Sequence, residues 1–164
     1  MNAVTIGVLL DPDLEYGVGV LEGVRESARS QVAWRILPLG LAQEALLARL
    51  VRSGEIQGLV GTFVSDRWLQ GRFPGFRALV NTSGLSRIAS VCSVLPDDEA
   101  VGRAVARHFI ELGVGRAACV AERATWSSQM RRAGFVAALE ACGKTVEEPG
   151  GDEVFRLETG WQAW

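Results

Sequence analysis

A chain of 164 residues, 48% of them hydrophobic and with a formal charge of −2, is long and apolar enough to bury a core and does not read as a disordered segment. Its arginines are scattered among Glu and Asp, which argues against a nucleic-acid grip by this segment, because phosphate contacts need clustered Lys and Arg. The three cysteines, Cys92, Cys119 and Cys142, lie far apart without CxxC or Cys/His ligand spacing, so they are expected as reduced thiols in a cytoplasmic protein.

The elements alternate strand and helix. Val4 to Leu10 is a continuous apolar run, as expected for a strand buried on both faces, and it ends at Asp11. No basic region precedes it, so it does not read as a signal peptide, and no stretch reaches the length of a transmembrane helix. Leu14, Val18, Leu21, Val24 and Ala28 recur at helical spacing, and Trp34 to Leu39 reads as a second strand. Leu46, Leu47, Leu50 and Val51 line a second helix that Gly54 is placed to end. Gln57 to Phe63 is a third strand, and Ser65 is placed to cap a short helix carrying Trp68 and Leu69. Ala78 to Asn81 is a fourth strand before the loop Thr82-Ser83-Gly84, and Ser90 to Val94 a short fifth.

A stronger helix follows. Asp97, Asp98 and Glu99 suit the positive end of its dipole; Val101, Val105, Phe109 and Leu112 form its apolar stripe; Gly113 ends it. Ala117 to Ala121 is a sixth strand, Ser127 or Ser128 is placed to cap a helix through Phe135, Val136 and Leu139 to Gly143, and Thr145 to Glu147 starts another strand. Pro149 to Trp164 shows no clear element. Alternation of this kind implies an α/β fold with a Rossmann-like parallel sheet, whose ligands bind at the carboxyl ends of the strands. The candidate site is therefore the loops Asp11 to Tyr16, Thr62 to Asp66, Asn81 to Gly84, Asp97-Asp98 and Glu122 to Arg131.

Gly17, Gly19 and Gly23 miss the G-x-G-x-x-G spacing by one position and read as close helix–sheet packing, not as a dinucleotide turn. His108 is the only histidine and has no partner at metal-ligand spacing; no nucleophile–base constellation, G-x-S-x-G or H-E-x-x-H motif is present. No enzyme activity, cofactor or metal is expected. Asp97 and Asp98 serve a helix start, and at a strand's carboxyl end they could also accept hydrogen bonds from ligand hydroxyls. Arg131 reads either as part of a solvated face or as a ligand donor. Trp126 either packs or stacks on the apolar face of a sugar ring.

The stretch DDEAVGRAVARHFIELGVGR, from Asp97 to Arg116, resembles the signature of LacI-type regulators, and RRAGFVAAL, from Arg131 to Leu139, resembles their Arg-x-x-Gly-Phe-x-x-Ala-Leu. The opening VTIGVLLD and YGVGVLEGVRESA resemble the family's first strand and helix, so the likeness covers about Val4 to Val146. Within the group, Tyr16 with VLEGV and Trp34 in WRILPL resemble xylose-operon regulators, although Val18 and Asp98 depart from the usual residues. The resemblance implies the type I periplasmic-binding-protein fold, with residues 1–113 as the first lobe of a ligand-sensing domain and 114–164 as the start of a second. It implies a sugar-like effector, a homodimer in the intact regulator, and DNA contact only through a helix-turn-helix unit missing from this chain. In xylose-type regulators that unit is AraC-like and comes last, so this chain reads as a truncated product or a fragment. The site it implies takes in Asp97, Arg131 and Tyr16; with the loop residues Asp11, Asn81, Asp98 and Trp126 these are the candidate ligand contacts. A solute-binding transport component on the same scaffold and a truncated gene product without function remain alternatives.

Overall fold

The computed structural model describes residues 3–11, 13–30 and 34–147. The chain divides into two compact units, Met1–Leu95 and Pro96–Trp164.

The first unit runs β1 (Val4–Leu10), α1 (Glu15–Arg29), β2 (Trp34–Gly40), α2 (Glu44–Arg52), β3 (Gly58–Gly61), α3 (Asp66–Arg72), β4 (Leu79–Asn81) and β5 (Cys92–Ser93). Its five strands are ordered β2-β1-β3-β4-β5 and every pairing is parallel. The apolar runs predicted for β1 and β3 thus occupy central positions. Register puts Leu9 beside Leu39, and Leu59 beside both Gly7 and Leu79. These leucines share a face, since side chains alternate along a strand. They join Leu47 and Leu50 of α2, Leu69 of α3, Phe63 and Phe73 in one buried cluster. Phe63 stacks on Trp68 at 6.1 Å between centroids, and Trp68 meets Phe73 edge-on at 5.6 Å. The helix-ending role predicted for Gly54 holds: it takes φ 76°, in the left-handed region that favours glycine.

The second unit runs α4 (Asp98–Glu111), β6 (Arg116–Ala118), α5 (Trp126–Glu140) and β7 (Thr145–Glu147), with β6 and β7 parallel. The sequence placed the helix now labelled α4 with the first lobe; in the structure it packs against α5 and groups with the second unit. The reason is a pair of glycines. A Cβ at Gly102 would overlap the Arg131 carbonyl oxygen, and one at Gly134 would overlap that of Glu99. With no side chain at either position, the two backbones touch. The stripe expected on α4 is corrected accordingly. Its buried residues are Asp98, Gly102 and Ala106, while Val101, Val105 and Leu112 are exposed. Phe109 alone of that stripe joins the core, edge-on to Phe135 at 5.6 Å, beside buried Ala106 and Leu139.

Four strands are shorter or shifted relative to expectation. The third holds Gly58–Gly61 of the expected Gln57 to Phe63, the fourth starts at Leu79 instead of Ala78, the fifth holds only Cys92–Ser93, and the sixth spans Arg116–Ala118 instead of Ala117 to Ala121. The last segment, from Pro149, lies outside the described residues. No helix among the described residues is long and apolar enough to cross a membrane.

Candidate functional site

In the first unit all strands point their carboxyl ends one way. The chain leaves β1 for β2 on one side and returns to β3 on the other, so the loops after β1 and β3 flank the topological switch point. Asp11 opens the first loop, where its Oδ1 accepts from the Asp13 amide at 3.0 Å. Gly17 lies against this turn, and a Cβ there would overlap the Asp11 carbonyl oxygen. Of the three glycines read as close-packing residues, Gly17 alone has that role, since Gly19 and Gly23 face open space.

Tyr16 and Asn81 meet around the loop after β4. The Tyr16 hydroxyl donates to the Thr82 carbonyl at 2.8 Å, tying the start of α1 to that loop, while half of the residue stays exposed. Asn81 is fully buried. Its Oδ1 accepts from the Ser83 amide at 3.1 Å, and its Nδ2 donates to the Ser83 carbonyl at 2.9 Å and to Ser93 Oγ at 3.1 Å. The side chain predicted as a ligand contact is thus engaged in shaping its own loop.

The loop after β3 is pinned as well. Ser65 caps α3 as expected, accepting from the Trp68 amide at 3.2 Å. Ser86 Oγ donates to the Val64 carbonyl at 2.5 Å. Asp66 accepts from the amides of Ala89 at 3.1 Å and Ser90 at 2.9 Å. A hydrogen bond from the Ser90 side chain, then those two amides, holds the Asp66 carboxyl below its ordinary value near 3.8.

In the second unit the residues gather at the N-terminus of α4. Asp97 is the helix cap, its Oδ1 accepting from the Ala100 amide at 2.9 Å. Asp98, only 6% exposed, accepts from Arg131 Nε at 2.7 Å. This pair spans the two helices that the glycines bring together. Glu99 Oε1 accepts from Arg103 at 2.6 Å, one helical turn along. Trp126, expected in a loop, instead opens α5 and is half-buried. Neither Ser127 nor Ser128 caps that helix. Thr125 holds the cap position without a side-chain bond, and Ser128 Oγ accepts from the Glu122 amide at 2.9 Å.

Residue-type reasoning gave no role to Ser93, Gly102 and Gly134, and took in Asp66 and Thr82 only as members of candidate loops. The glycines had a legible signal: each helix carries glycine and alanine four residues apart, Gly102 with Ala106 and Gly134 with Ala138, which lines small residues along one face. His108 is exposed on α4, and no group of three His, Cys, Asp or Glu among the described residues is placed to hold a metal. Burial pushes the Cys119 thiol upward, against the opposing charge of Arg132. What the second unit offers is a capping carboxylate and a guanidinium held by a buried carboxylate, groups that accept from and donate to hydroxyls.

The chain matches no protein-family model and no curated protein by sequence. Solved structures resemble it clearly. A LacI family transcriptional regulator from Mycobacterium smegmatis superposes with a TM-score of 0.70 at 24% identity, over 87% of this chain and 53% of its own. A periplasmic binding protein/LacI transcriptional regulator from Alkaliphilus metalliredigens QYMF, complexed with D-xylulofuranose, gives 0.68 at 13% identity, over 90% and 56%. A carbohydrate transporter solute binding protein from Agrobacterium radiobacter, in complex with D-arabinose, gives 0.69 at 16%, over 90% and 58%. The chain thus spans little more than half the length of each. Over that span it has the α/β fold that LacI-type regulators share with the periplasmic sugar-binding proteins.

Proposed function

We propose that this chain is the effector-sensing part of a bacterial transcription regulator and that its effector is a small neutral sugar. The observation that carries the reading is the group at the start of α4. There Asp97 caps the helix and Arg131 stands fixed by buried Asp98, on a fold whose solved relatives hold D-xylulofuranose and D-arabinose. The likeness of DDEAVGRAVARHFIELGVGR and RRAGFVAAL to LacI-type regulators favours sensing over transport. Three free cysteines suit a reducing cytoplasm. In this reading Arg131 donates to sugar hydroxyls, Asp97 accepts from them, and Trp126 stacks on the ring. Within the first unit, Asp11 and Tyr16 are candidate contacts after β1, and Asn81 shapes the loop after β4. The bounds read from sequence, 1–113 for one lobe and 114–164 for the start of the next, give way in this reading to a boundary before α4, which groups with the second unit. DNA is bound by a helix-turn-helix unit outside these residues, in a homodimeric regulator. The likeness of Tyr16 and Trp34 to xylose-operon regulators makes aldopentoses the first effectors to try.

The transport reading draws on the solute-binding relative, whose fold match is equally good. Fractionation separates the two: the regulator stays in the cytoplasm, and recovery of the native protein from the periplasm would select transport. For the ligand, the ¹⁵N-labelled chain is titrated with D-xylose, D-ribose, D-arabinose and D-glucose. One of them is expected to shift the amides of Asp97, Asp98 and Arg131, even at millimolar affinity. Arg131→Ala should weaken that binding about ten- to a hundredfold, the worth of one charge-assisted hydrogen bond of about 1.5–3 kcal/mol. Titrations that leave these amides unmoved, or an unchanged affinity in the variant, would remove Arg131 from the site.

A further inference from the structure

We infer that Asp98 is a specificity-determining positioning residue, which makes the α4 N-terminus select uncharged polyols and reject sugar acids by holding and neutralising Arg131. The inference rests on the sugar-binding reading above and goes on to the charge of the ligand. Asp98 is 6% exposed and its Oδ1 takes the Arg131 Nε proton at 2.7 Å, whereas the Arg131 side chain is 53% exposed. Nε is the inner donor of the guanidinium fork, so this bond fixes the fork and leaves both Nη groups without a partner among the described residues. A buried carboxylate at this distance also balances the arginine's charge.

The surroundings do not restore a positive field. Asp97 and Asp98 already answer the partial positive charge at the start of α4. Arg103 is taken by Glu99 at 2.6 Å and faces Asp97 at 3.9 Å. Three carboxylates thus stand against two guanidiniums. A carboxylated ligand brought to the Nη groups would meet a balanced cation and an exposed Asp97 carboxylate. A sugar hydroxyl pair can accept from Nη and donate to a carboxylate, and carries no charge to be repelled. Selectivity of this kind comes from a built-in repulsive element as much as from attraction. The placement depends on Gly102 and Gly134, because only their missing side chains let Asp98 reach across to α5.

The test uses D-glucose and D-glucuronate, which differ by one carboxylate, titrated into the ¹⁵N-labelled chain at neutral pH. The wild type should bind D-glucose more tightly than D-glucuronate. Asp98→Asn, which keeps the shape and removes the charge, should raise the glucuronate-to-glucose affinity ratio about tenfold. Asp98→Glu should return the ratio toward that of the wild type, which a loss of packing alone would not produce. If the wild type binds D-glucuronate as tightly as D-glucose, or if Asp98→Asn leaves the ratio unchanged, the inference fails while the sugar-binding reading stands. The wild-type comparison decides even where the Asn variant does not fold. If no neutral sugar moves the amides of Asp98 and Arg131, the reading and the inference fall together.

Discussion

In the first unit a layer of Leu9, Leu39, Leu59 and Leu79 meets Leu47, Leu50, Phe63 and Leu69, and large side chains fill the space between sheet and helices. In the second, α4 and α5 meet where side chains are missing, at Gly102 and Gly134, and among the described residues the buried cluster is Ala106, Phe135 and Leu139. The two arrangements fail differently. A leucine layer loses stability in proportion to what is cut from it and tolerates a shift of its neighbours. A glycine contact has backbone on both sides, so one added methyl group forces whole helices apart. The second arrangement is the one that carries the Asp98–Arg131 pair, and its geometry is accordingly fixed by backbone and not by side-chain packing.

The largest effect is expected from Phe63→Ala, which cuts a fully buried ring out of the first unit's layer. The loss should be about 3–5 kcal/mol, read as lowered hydrogen-exchange protection of β1, β3 and β4. Protection that survives the substitution would mean that the aromatic and leucine layer does not hold this sheet together.

A smaller effect with a more telling sign comes from one substitution made twice. Gly102→Ala places a methyl group on the Arg131 carbonyl oxygen, and overpacking costs about 1–3 kcal/mol against about 1 kcal/mol gained in helix propensity. Gly19→Ala in α1 meets open space and should stabilise by about 0.5–1 kcal/mol. The melting temperature should therefore fall in the first variant and rise in the second. A rise in both would show that α4 and α5 do not touch through their backbones.

The smallest effect concerns pH. Asp66 is a carboxylate whose value is lowered on folding, so its stabilising contribution is present above the ordinary value near 3.8 and is lost as pH falls below it. It lies at the surface and is only partly covered, so the change is slight and is best followed locally. The protection of the Ala89 and Ser90 amides, relative to their intrinsic exchange at each pH, should fall on acidification through that range, and in Asp66→Asn this pH dependence should disappear. Persistence of the dependence in the variant would assign it to another carboxylate.

Sequence alone determined the architecture and several of the helix ends. Unbroken apolar runs at Val4 to Leu10 and around Leu59 could only be strands covered on both faces, and the helical spacing between them forced parallel crossovers. Local chemistry was legible for the same reason. Ser65 and Asp97 cap because a side-chain oxygen reaches an amide two or three residues on, and Gly54, Gly113 and Gly143 end helices because each takes a positive φ. Only the tertiary structure decided which face of α4 is buried. Hydrophobicity pointed to Val101, Val105 and Leu112, but close approach of two helices selects for the absence of side chains, and a scale of apolar character assigns glycine no weight. It also decided what the candidate residues do. Asn81 turned inward to its own loop and Asp98 reached Arg131 across thirty-three positions of sequence. A carboxylate's partner so far along the chain is set by how the helices pack, and no local pattern records it.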